Sequence, residues 1–166
     1  MSSTFKQVGS LVFNQQDGVV KHARTNEDLA KYMVKIAQVI HLLAYMDNVG
    51  IDATGAGKGW GHFELPAEAL KHLSEAYLES YCDDPTATDA VLRIELYNET
   101  DGEVVAYIEY AGVGGFKKSS NIADTLKTLA GKVLKGRWNV VTASATSGAT
   151  QTVRSIVLVL IYDLTK

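Results

Sequence analysis

From Thr88 onward apolar and polar positions alternate one by one. Leu92, Ile94 and Leu96 are separated by Arg93 and Glu95, and further on Val104, Ala106, Ile108 and Tyr110 are separated by Val105, Tyr107 and Glu109. A period of two belongs to a strand with one buried face. Between the two runs stands Asn98-Glu-Thr-Asp101-Gly102, a connection closed by Asp-Gly, so the pair is predicted to be an antiparallel hairpin. Arg137 to Thr146 and Gln151 to Leu164, around Ser147-Gly148-Ala149-Thr150, predict a second hairpin. Its last strand differs from the others. Ile156-Val-Leu-Val-Leu-Ile-Tyr162 is apolar on both faces, which predicts a central strand covered on both sides. One face is expected to meet a partner sheet. The other needs a helix, the N-terminal arm or a neighbouring subunit.

The first half reads differently. Leu29, Tyr32, Met33, Ile36, Val39, Ile40, Leu43 and Met46 recur at three- and four-residue steps behind a capping-box-like Thr25-Asn-Glu-Asp28, which predicts a helix. A two-residue reading of the same segment, through Val34, Ile36, Gln38, Ile40 and Leu42, stands against it. The glycines between Asp47 and Gly61 predict a loop. Pro66, followed by Leu70, Leu73, Tyr77 and Tyr81, predicts a second helix or helical turn. Ile122 to Leu134 is expected to be a short helix or a crossing loop. Residues 1–25 have no sustained period and read as an arm, which leaves residues 26–166 as a single domain.

The second half, Ala90-Val-Leu-Arg-Ile-Glu-Leu-Tyr-Asn-Glu-Thr-Asp-Gly-Glu-Val-Val, a crossing segment and the ribbon Trp138 to Tyr162 turning at Ser147-Gly148, resembles jelly-roll β-sandwich modules. Such modules occur in carbohydrate-binding domains and in virion or filament structural proteins. The resemblance is one of strand order and turn placement and carries over no functional residue. The expected fold is therefore mainly β: an antiparallel two-sheet jelly-roll-like sandwich with one to three helices, mostly in the first half. An α+β two-layer structure is the alternative.

Composition narrows the function. The formal charge of −3, with dispersed lysines and arginines, gives no footprint for nucleic acid or an anionic membrane. The single Cys82 excludes an internal disulfide and multi-thiolate zinc sites, leaving an intermolecular bridge as its only disulfide chemistry. No secretion-signal pattern and no apolar run of bilayer length is present, so the expected location is cytoplasmic or virion-associated.

Candidate chemistry is sparse. Gly55-Ala-Gly57-Lys58-Gly59 resembles a phosphate loop, but Asp52 stands where its first glycine belongs and Gly59 where its hydroxyl belongs. Trp60, His62 and Phe63, with Trp138, are candidates for an aromatic platform against a polysaccharide; the competing roles are Trp138 filling the sandwich core and Trp60 capping a helix end. Asp83, Asp84 and Asp89 read as solvated turn acids rather than calcium ligands. Cys82, His72 and Asp83 supply the residue types of a hydrolase triad without its motifs. Glu95 and Glu109 read as a wetted pair rather than glycosidase carboxylates.

The resulting expectation is a non-enzymatic structural protein that self-associates and carries no cofactor or metal. Val8, Leu11 and Phe13 of the arm are the predicted inserting side chains, and Ile156, Leu158 and Leu160 the predicted receivers. A carbohydrate-binding module using Trp60 and Trp138 is the alternative, with a small-molecule enzyme of unknown class third.

Overall fold

The computed structural model describes residues 35–163 apart from Ala44 and Lys58. The predicted arm and the capping box at Thr25 lie outside the described residues.

In chain order the elements are β1 (Lys35–His41), β2 (Asp47–Gly50), β3 (Gly55–Ala56), β4 (Trp60–Glu64), α1 (Ala67–Leu70), β5 (Leu73–Cys82), β6 (Val91–Asn98), β7 (Glu103–Ala111), β8 (Gly115–Lys118), α2 (Ala123–Lys127), β9 (Val133–Thr142) and β10 (Thr150–Asp163). The first sheet runs β1-β10-β5-β8, and β2 also pairs with β10. The second runs β3-β9-β6-β7, and β4 also pairs with β9. Every pairing is antiparallel.

β1 lies along Val157–Asp163 and β2 along Thr150–Val153, so the two act as one interrupted strand. β3 and β4 share β9 in the same way. Merged like this, the chain makes eight strand positions in the orders 1-8-3-6 and 2-7-4-5, the two interlocked Greek keys of a jelly roll. The fold is a two-sheet β-sandwich.

Its core is what the alternating residues put between the sheets. Leu78, Ile156, Leu158 and Leu160 of the first sheet meet Leu92, Ile94, Leu96 and Leu134 of the second, and all are 0% exposed. The hairpin β6–β7 forms as predicted. Asn98 builds its turn, accepting from the Asp101 amide at 3.2 Å and donating to the Asp101 carboxylate at 2.7 Å. Gly102 follows at φ +75°, a conformation that favours glycine.

Four expectations change. The predicted helix over 29–46 is the strand β1 in its described part, because the β-branched run pairs with the equally β-branched β10 and extended backbone there completes a sheet. Tyr77 and Tyr81 belong to strand β5; only Ala67–Leu70 is helical. Small and polar residues facing inward, Ala76, Ser80 and Cys82, hid that strand's alternation. The glycine-rich stretch holds β2, β3 and the start of β4. The second hairpin is an arch: β9 belongs to one sheet and β10 to the other. The arch is fastened from below, with the Ser144 amide donating to the Ile51 carbonyl, the Ile51 amide to the Ala149 carbonyl, and the Gly148 amide to Asp52.

Candidate functional site

β10 is central in its sheet, between β1 and β5, as its two apolar faces predicted. Parity then decides which of its side chains are available. Ile156, Leu158 and Leu160, predicted to receive an inserting arm, are 0% exposed inside the sandwich, so they cannot receive anything from outside. The side chains pointing the other way are Val157, Val159 and Ile161, all half-buried. Across the strands they sit in the rows Val39–Val159–Tyr77, His41–Val157–Glu79 and Ala37–Ile161–Glu75, and Ser155–Tyr81–Phe116 forms a further outward row. Val39 is 49%, Tyr81 44% and Phe116 62% exposed. Ion pairs border this aliphatic strip. Lys35 reaches Glu75 at 2.9 Å, and Lys118 lies 3.5 Å from Glu79 and 3.4 Å from the Tyr77 ring centroid. The hydrogen bond from Lys35, then that from Tyr77, holds the Glu75 carboxyl below its ordinary range.

The outer face of the second sheet is built of charge. Glu95 is only 2% exposed and accepts from Arg137 Nε at 2.7 Å and Asn139 Nδ2 at 3.0 Å. It is therefore a buried member of a network, not the wetted carboxylate the sequence suggested. Arg137 stacks 3.6 Å from the Tyr97 ring centroid. Arg93 pairs with Glu109 at 2.9 Å and lies 4.4 Å from the Tyr107 centroid. Lys135 donates to Glu99 at 2.6 Å and pulls that carboxyl below its usual range.

Beside this network, along the outer edge of β7, runs a groove of about 630 Å³ whose walls include Val105, Ala106, Tyr107, Ser120, Ile122 and Thr125.

The remaining candidate residues do not converge. Trp60 and Trp138 are half-buried and pack against the core. The Trp138 indole donates to Asp47 at 3.0 Å and lies so close to Gly57 that a Cβ there would stand 2.5 Å from the ring. His62 is exposed, its Nε2 3.2 Å from Glu99. Cys82 is 0% exposed, and burial pushes its thiol up to about 12, so the intermolecular bridge left open by the sequence is closed off in the folded state. Tyr110, also 0% exposed, rests its hydroxyl 2.8 Å from that of Ser80 and is likewise pushed above its ordinary value by burial. His72 precedes β5 and Cys82 ends it, which separates them by the length of a ten-residue strand, about 30 Å. Asp83 is clamped by Arg154, Asp84 accepts from the Gly114 amide, and Asp89 accepts from Ser144 and the Ala145 amide.

Strand order and core define a jelly-roll sandwich, with one outer face charged and the other partly aliphatic. No protein-family model matches the sequence, and comparison with curated proteins finds no match. Solved structures with a similar layout include one of the infectious bursal disease virus Gx strain, at 15% identity and TM-score 0.47, covering 78% of this chain and 32% of that one. This chain thus spans about a third of that protein's length. The CBM36-1 domain of a multidomain xylanase from the hindgut metagenome of Trinervitermes trinervoides matches at 14% identity and TM-score 0.35, over 75% of this chain and 96% of that one. A structure of Bacillus endospore appendages, described as disulfide-linked pili, matches at 16% identity and TM-score 0.30, over 77% and 90%.

Proposed function

We propose that the chain is a non-enzymatic structural protein that assembles with copies of itself through the outer face of the first sheet. The observation that carries this reading is the outward side of β10. Val157, Val159 and Ile161 sit half-exposed at the centre of a sheet, flanked by the exposed Val39, Tyr81 and Phe116. Contiguous apolar surface of this kind is stabilised by being covered.

A second copy is the cover the face suits. Lys35, Glu75, Glu79 and Lys118 place both signs of charge beside the aliphatic strip, so the same patch turned by a two-fold axis meets opposite charge as well as apolar surface. The acids and bases that the sequence offered for catalysis are, by contrast, dispersed or committed to structural partners.

Mass photometry and sedimentation on the full chain test the reading. The unaltered chain is expected to form concentration-dependent oligomers, and the double variant Val39→Glu/Phe116→Glu to stay monomeric with an unchanged circular dichroism spectrum. A chain that remains monomeric over the whole accessible concentration range overturns it.

A further inference from the structure

Among the described residues the two sheets have four lateral edges, formed by β1 with β2, by β8, by β3 with β4, and by β7. β7 is the longest edge strand, nine residues against seven for β1 and five or fewer for the others. Long regular edges are templates for another strand, and proteins usually blunt them. Here two features interrupt β7: Val105 is an extra residue in the ladder to β6, a bulge between Val104 and Ala106, and further along Lys117 Nζ donates to the Glu109 carbonyl at 2.7 Å. That carbonyl therefore points away from β6. Alternation in an antiparallel ladder sends the N–H and C=O of Tyr107 the same way. Among the described residues nothing pairs with them. The groove of about 630 Å³ lies against this stretch, and the half-buried Ala106 leaves its inner wall shallow.

We infer that the β7 edge receives residues 8–13 of a second copy as an added strand. The inference rests on the self-assembly reading but uses a different surface from the β10 face. Added strands are held by main-chain hydrogen bonds, with alternate side chains entering pockets. Val8-Gly-Ser-Leu-Val-Phe13 suits that role: it contains no charge and no proline, is rich in strand-forming residues, and sets Leu11 and Phe13 on one side. Residues 14–34 join it to β1 and, extended, reach up to about 70 Å, ample for a neighbouring molecule. Because arm and edge are different surfaces, the contact is head-to-tail and repeats from copy to copy, giving rings or open filaments.

Two experiments on the full chain test it. Tyr107→Pro removes an outward N–H while sparing the ladder to β6, so the monomer is expected to fold and to associate at least tenfold more weakly. Separately, copies carrying Ser10→Cys, Leu11→Cys or Val12→Cys are mixed with copies carrying Tyr107→Cys under mild oxidation. The buried Cys82 stays silent, and at least one mixture is expected to give the mixed disulfide in excess over either symmetric one. The cysteine pairs decide the question even if Tyr107→Pro fails to fold. Absence of mixed disulfide in all three mixtures overturns the inference, as does intramolecular closure of a chain carrying both cysteines at high dilution. If Val39→Glu/Phe116→Glu dissociates an assembly that Tyr107→Pro leaves intact, the edge inference falls and the face reading stands. An unaltered chain that is monomeric ends both.

Discussion

The two sheets present outer faces of the same geometry and opposite finish. On the second sheet, Glu95 faces outward and accepts from Arg137 and Asn139, and Arg93 pairs with Glu109, with Tyr97 and Tyr107 under the guanidinium groups. Such a face is complete as it stands in water. On the first sheet, the corresponding central positions are Val157, Val159 and Ile161, which have nothing polar to offer. Their ion-paired neighbours are confined to the flanks. One face has been given its partners from within the chain, and among the described residues the other has no cover.

This contrast can be pushed hardest at Glu95. Glu95→Ala leaves Arg137 and Asn139 without their acceptor, and removing one member of a buried pair is expected to cost about 3 kcal/mol of folding stability, read as a lower urea midpoint. Association should be unaffected. The reverse pattern is expected on the other face. Val39→Glu/Phe116→Glu should change unfolding by only about 0.5 kcal/mol while weakening association about 100-fold, equivalent to about 2.7 kcal/mol. Equal effects of the two sets on folding would erase the distinction.

The interior shared by both faces gives a smaller, pH-dependent effect. Burial raises the Cys82 thiol from 9.0 to about 12, so the unfolded chain ionises first as pH rises. The contribution is fully present below pH 9, declines above it and is exhausted near 12, with a loss of about 1 kcal/mol by pH 10. Urea midpoints at pH 8 and 10 should therefore fall further in the unaltered chain than in Cys82→Ala, whereas identical slopes would remove the thiol from the account. The smallest effect is expected at Arg93→Ala. Its pair with Glu109 is part-exposed, and unfolding should shift by less than about 1 kcal/mol in a double-mutant cycle.

What the sequence made legible follows from how much each strand depends on its own residues. β6 and β7 carry their alternation and their turn in one continuous stretch, and both were readable. β10 announced its central place because both of its faces are aliphatic. β1 was misread because Leu29 to Met46 satisfies two periods at once, and the arbiter is a partner strand more than a hundred residues away. β5 was hidden by inward Ser80, whose hydroxyl is satisfied by Tyr110 of the opposite sheet, a pairing no local pattern contains. The turn after β9 gave no sign of which sheet β10 would join.

The outer face of the first sheet was legible as a need for cover but not as a list of residues. Ile156 and Val157 are equally apolar in sequence, and only the register with β5 says which one faces out. The edge of β7 was less visible still, because an unpaired backbone has no signature in side chains.

The placement of β10 also sets an order of events during synthesis. The strand that fills the middle of the first sheet is made after β1, β2, β5 and β8, yet β1, β2 and β5 all lean on it. His41 leaves the ribosome long before Val157, its partner, exists, an interval of several seconds at about 5–20 residues per second. Through that interval the early strands have a gap where their shared neighbour belongs, so cellular holdases would find their target in the growing chain rather than in the finished one.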